Sequence, residues 1–129
     1  MQSNRFAVSR RALIAGAAAS AVLPANAFAQ AFSGRNALLM VDDPACVYCR
    51  KWMREVSQGY QASAEGRAFP LVRRNRGHAD LAVFQGVIYT PTFLVLAKGR
   101  EVGRIVGYTG ADFFWADVER IIASVGGTL

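Results

Sequence analysis

The chain holds only two cysteines, and both stand in one stretch, Pro44-Ala45-Cys46-Val47-Tyr48-Cys49-Arg50-Lys51-Trp52, between an apolar run and an amphipathic one. Residues 37–41 (Ala-Leu-Leu-Met-Val), ended by Asp42-Asp43-Pro44, read as a buried strand and its exit turn. Beyond Cys49 the apolar residues Trp52, Met53, Val56 and Tyr60 recur at helical spacing, with Arg50, Lys51, Arg54, Glu55 and Gln58 on the other faces. That pattern predicts an amphipathic helix over 49–62, weakened near its end by Gly59. A dithiol is therefore expected where a strand hands over to a helix, with Cys46 at the helix start and Cys49 one turn in.

The rest of the chain completes a small sheet. Residues 69–72 form a second short apolar run, in which Pro70 suits only the first positions. Residues 80–87 read as a poorly periodic bridge. Residues 92–97 (Thr-Phe-Leu-Val-Leu-Ala) are the clearest strand, Lys98-Gly99-Arg100 a hairpin turn, and 101–106 its antiparallel partner. Helical spacing resumes over 112–125 through Phe113, Phe114, Val118, Ile121 and Ile122, and Gly126-Gly127 closes it. Phe113, Phe114, Trp52 and Trp115 are expected in the core. The order predicts an α/β fold: a four-stranded mixed sheet flanked by helices, with helices on both faces.

The first 29 residues read as a separate segment. Arg5, Arg10 and Arg11 make a positive start, residues 12–23 are almost wholly apolar, and Ala27-Phe28-Ala29 offers small residues where a signal peptidase reads them. The apolar run is too short for the ~20 residues of a spanning helix. A cleavable export signal over 1–29, a mature domain over 30–129 and a periplasmic location are therefore expected. Ser9-Arg10-Arg11 also fits a twin-arginine signal, and the general and twin-arginine routes stay open. Three of the fifteen Lys and Arg residues and none of the nine acids lie in this segment, so the formal charge falls from +6 to +3 in the remainder. The dense basic cluster Arg73-Arg74-Asn75-Arg76 lacks interleaved aromatics and reads as a solvated strand end, so no nucleic-acid partner is expected.

Helix-start placement exposes the Cys46 sulfur and sets it against unpaired N–H groups and the helix dipole, which favour a thiolate. Such thiols titrate below the free value of ~8.5, and Arg50, Lys51 and Arg54 add positive potential. Cys46 is thus assigned as the attacking nucleophile and Cys49 as the resolving thiol, the redox-active Cys46–Cys49 disulfide serving in place of a cofactor. A structural zinc site needs about four ligands, and one histidine, His78, does not complete it; no metal is expected. Arg50 stands where haem attachment requires histidine after the second cysteine. A structural disulfide is the competing reading, although so small a loop stabilises little. Asp42 and Asp43 are candidates either for shaping the turn or for proton transfer at Cys49.

At Cys46-Val47-Tyr48-Cys49 and Thr90-Pro91-Thr92-Phe93 the chain resembles the thioredoxin superfamily. Three further stretches narrow the likeness to periplasmic thioredoxins of the sulfur-oxidation (SoxS) type: Glu65-Gly66-Arg67-Ala68, Gly99-Arg100-Glu101-Val102-Gly103-Arg104-Ile105-Val106-Gly107-Tyr108, and Asp112-Phe113-Phe114-Trp115. The resemblance implies a cis Thr90–Pro91 bond that brings the Thr90 backbone alongside Cys46, where it can pair with an extended substrate segment. Thr90, Pro91, Val47 and Tyr48 are then the substrate-binding residues. It also implies a reductase that keeps the thiol of a sulfur-carrier protein usable and is recharged by a membrane thiol-electron transporter. The chain departs from cytoplasmic thioredoxins in having Ala45 before the first cysteine and Met40 where they keep a buried aspartate. No dimerisation domain is read, so a monomer is expected. Reduction of apocytochrome thiols in cytochrome c maturation and a non-catalytic redox-sensitive binding module are the alternative functions.

Overall fold

The computed structural model describes residues 31–126; the expected export segment over 1–29 and its cleavage point before Gln30 lie outside the described residues. The elements run β1 (Ala37–Asp42), α1 (Val47–Glu55), α2 (Ser57–Ala62), α3 (Ala64–Ala68), β2 (Leu71–Asn75), a 3-10 turn (Ala79–Leu81), β3 (Thr92–Ala97), β4 (Arg100–Val106) and α4 (Ala111–Ser124). They form one mixed four-stranded sheet in the order β2-β1-β3-β4, parallel between β1 and β2 and antiparallel elsewhere. The central strands β1 and β3 are buried along almost their whole length, which explains their unbroken apolar sequences.

Alternation along β1 and β3 divides the core between the two faces of the sheet. Leu38, Met40, Phe93 and Val95 face Cys49, Trp52, Val56 and Tyr60 of the first helices and Phe114, Val118, Ile121 and Ile122 of α4. Leu39, Val41, Leu94 and Leu96 face Phe32, Leu81, Phe84 and Val87. The α-helices that reach the core thus cover one face. The helical cover of the other is a single 3-10 turn together with irregular chain, because 80–87 carries too few spaced apolar residues for a longer helix.

The helix expected over 49–62 is two short helices, α1 and α2, and a third, α3, follows them. Val56 leaves helical geometry at φ −122°, and Ser63, extended at ψ 166°, caps α3 by accepting the Gly66 N–H on its hydroxyl at 3.0 Å. The tight α2–α3 corner demands Gly66: a Cβ there would lie 1.9 Å from the Tyr60 carbonyl oxygen. Tyr60, fully buried, donates from its hydroxyl to the Phe69 carbonyl at 2.7 Å and so ties this corner to the entry of β2. Burial first, and then the negative charge of Glu65, push its pKa up.

Candidate active site

Strand register brings three chain segments to one end of the sheet. Val41 pairs with Thr92, and Thr92 with Val106. The turn leaving β1 at Asp42, the Pro91 that enters β3 and the Gly107 that leaves β4 therefore lie side by side. Gly107, at φ +83°, donates its N–H to the Pro91 carbonyl at 2.7 Å. The Thr90–Pro91 peptide bond is cis, Pro91 is buried, and the Thr92 hydroxyl donates back to the Tyr89 carbonyl at 2.6 Å.

The turn before the cysteines is held by its own aspartates. The Asp42 carboxylate accepts the Asp43 N–H at 2.8 Å and pairs with Arg73. The Asp43 carboxylate accepts the Ala45 N–H at 2.8 Å, and the Asp43 carbonyl accepts the Cys46 N–H at 3.0 Å. Of their two candidate roles, this is the turn-shaping one. Met40 is fully buried in the same cluster as Cys49, so an apolar side chain occupies the position where cytoplasmic thioredoxins keep their aspartate.

Cys46 is the N-cap of α1. Its φ and ψ of −82° and 109° are extended, and its sulfur accepts the Cys49 N–H at 3.1 Å, one of the orphan donors of the first turn. It is joined to Cys49 as a disulfide with Cα atoms 5.2 Å apart. Cys46 is half-buried, whereas Cys49 is 1% exposed beneath it. An attacking group reaches only one of the two sulfurs from solvent. Arg50 turns its guanidinium onto the Pro44 carbonyl at 2.9 Å, and Lys51 and Arg54 are exposed. Their contribution at Cys46 is long-range potential and not a contact. Among the described residues no cluster of His, Cys, Asp or Glu could hold a metal ion.

The expected substrate-binding residues lie at the same end of the sheet as this disulfide. Val47 and Tyr48, between the cysteines, are about 60% exposed, and Thr90 is half-buried. Ile88 and Tyr89, just before Thr90, are equally exposed. Sequence reasoning missed them, because exposure of an apolar residue in an aperiodic segment leaves no pattern. His78 instead caps the 3-10 turn, its Nδ1 accepting the Asp80 N–H at 3.0 Å. Behind the site Tyr108 donates to the Glu55 carboxylate. Burial, the hydrogen bond and the carboxylate charge together push Tyr108 up to about 12 from 10.0. Its neutral form is thereby favoured in the folded state. The associated stability is fully present below pH 10 and is lost as the pH rises through about 12.

A mixed four-stranded sheet carrying a disulfide at a helix N-cap, beside a proline-entered strand, defines a thiol–disulfide oxidoreductase of the thioredoxin-like fold. The model of the thioredoxin-like domain family matches residues 29–122, and the chain belongs to that family. Among solved structures it is similar to the periplasmic thioredoxin SoxS of Paracoccus pantotrophus in its reduced form. The two share 38% identity with a TM-score of 0.64, over 70% of this chain and 99% of that one. This likeness places the chain with the SoxS-type thioredoxins. A comparison with curated proteins gave no match.

Proposed function

We propose that the protein is an exported thiol–disulfide reductase that acts in the periplasm on a sulfur-carrier protein of thiosulfate oxidation. In the reduced enzyme the Cys46 thiolate attacks one sulfur of the partner's disulfide. That bond breaks, the departing partner sulfur takes a proton, and Cys46 is left in a mixed disulfide. Cys49, deprotonated, then attacks the Cys46 sulfur, which forms the Cys46–Cys49 disulfide and releases the second partner thiol. Two electrons have passed from the protein to its partner. A membrane thiol-electron transporter returns them. Thr90 pairs through its backbone with the extended partner segment, against Pro91, Val47 and Tyr48. Residues 1–29 serve as the cleaved export signal, and the mature protein is a monomer.

The observation that carries this reading is the unequal exposure of the two sulfurs at the start of α1, one half-buried and one covered. The likeness to a periplasmic thioredoxin supports the compartment. Affinity-tagged Cys49→Ser, expressed in the native host and recovered after acid quenching, tests it. The expected result is an adduct on Cys46 released by dithiothreitol, in the periplasmic fraction, whose partner is a sulfur carrier with a reactive cysteine. An apocytochrome in its place moves the function to cytochrome c maturation. Absence of any adduct contradicts turnover and leaves a non-catalytic module.

A further inference from the structure

The basic cluster Arg73-Arg74-Asn75-Arg76 is not a row of idle surface charges. Arg73 pairs with Asp42, and Arg74 with Asp80 at 2.8 Å. Arg76 does something different, because it touches two separate segments of the active site. Its backbone N–H donates to the Asp42 carbonyl at 2.7 Å, which extends the β1–β2 ladder to the start of the active-site turn. Its Nη2 lies 3.3 Å from the Asp43 carboxylate, whose other oxygen holds the Ala45 N–H. Its Nη1 donates to the Ile88 carbonyl at 3.3 Å, two residues before Thr90.

We propose that Arg76 is a positioning residue for protein substrates: its guanidinium ties the turn that carries Cys46 to the segment that carries Ile88, Tyr89 and Thr90, and so fixes the width of the groove between them. The proposal rests on the reading of that groove as a site for a protein disulfide. The side chain is 54% exposed, and an exposed ion pair adds little to stability, so the bridge is not there to hold the fold. What it supplies is a side-chain tie between two loops beyond the last paired residues of β1 and β3, Val41 and Thr92. A planar guanidinium can serve two acceptors at once, whereas a lysine ammonium on a single stem is a point charge.

Arg76→Ala and Arg76→Lys separate bridging from charge. The substrates are insulin, whose disulfide sits in a chain that must enter the groove, and the neutral 2-hydroxyethyl disulfide, which needs only the Cys46 sulfur. Both variants are expected to raise the KM for insulin about five- to tenfold with kcat changed less than about twofold. The rate with 2-hydroxyethyl disulfide and the melting temperature should stay close to wild type. In the same variants the amides of Ala45 and Cys46 and those of residues 88–90 should exchange faster together. Recovery of the insulin KM by lysine would show that charge alone acts and would overturn the bridge. So would equal slowing of both substrates, an unchanged KM, or unchanged amide exchange. Wild-type protein that fails to reduce insulin contradicts the reductase reading itself, and the exchange measurement then still decides whether Arg76 couples the two loops.

Discussion

Cys46→Ser is expected to abolish reduction of protein disulfides, with a loss of about three orders of magnitude or more in kcat/KM, while the protein stays folded. Cys46 is the half-buried sulfur and Cys49 lies beneath it at 1% exposure, so the remaining thiol cannot replace the lost one. The serine hydroxyl can still accept the Cys49 N–H as an N-cap, which keeps the start of α1 intact. Cys49→Ser should behave differently. It should react once with a disulfide substrate and stall as a mixed disulfide. Stopped-flow and steady-state assays of both variants check this. An equal single-turnover burst, or equal adduct formation, in the two would contradict the division of roles.

The second large effect is on stability. Trp52→Ala should cost about 3–5 kcal/mol, a large part of the ~5–15 kcal/mol that holds a domain of this size. Trp52 is fully buried where three elements meet, with ring centroids 4.9 Å from Phe93 on β3, 5.3 Å from Phe114 on α4 and 6.5 Å from Tyr60 on α2. Removing the indole leaves a cavity that none of these elements can close without breaking strand pairing. The melting temperature should fall by at least ~12 °C. Trp52→Phe should cost clearly less, because the indole Nε1 has no hydrogen-bond partner among the described residues and no bond is lost with it. Thermal melts of the oxidised proteins settle the order. A shift below ~4 °C for the alanine variant would mean that the helices do not depend on this contact.

How much of this was legible in the sequence varied with the range of the interaction. Strands β1 and β3 announced themselves through local composition, because burial on both faces demands unbroken apolar runs, and β4 through the Lys98-Gly99-Arg100 turn that pairs it with β3. The N-cap placement of Cys46 followed from the same junction of strand and helix. The helix breaks at Val56 and Ser63 did not, since the apolar spacing carries on through Tyr60 while the backbone turns around Gly66. Strand β2 begins at Leu71, two residues later than its apolar run, because Phe69 packs into the core before Pro70 instead of joining the sheet. Phe113 also departs from expectation. Beside Phe114 on a helix it must point elsewhere, and it is 67% exposed where Phe114 is buried. The Glu55–Tyr108 and Arg76–Asp43 contacts join positions far apart in the chain, and no local pattern marks such pairs.

Thiol–disulfide exchange at this site turns on one property, a Cys46 thiolate stabilised at the start of α1. The most direct measurement is the pH dependence of alkylation of the reduced protein, with each modified cysteine identified by peptide mapping. Cys46 should alkylate first, with a midpoint below the ~8.5 of a free thiol, and Cys49 far more slowly at every pH. Faster reaction of Cys49, or a Cys46 midpoint at or above the free value, would contradict it.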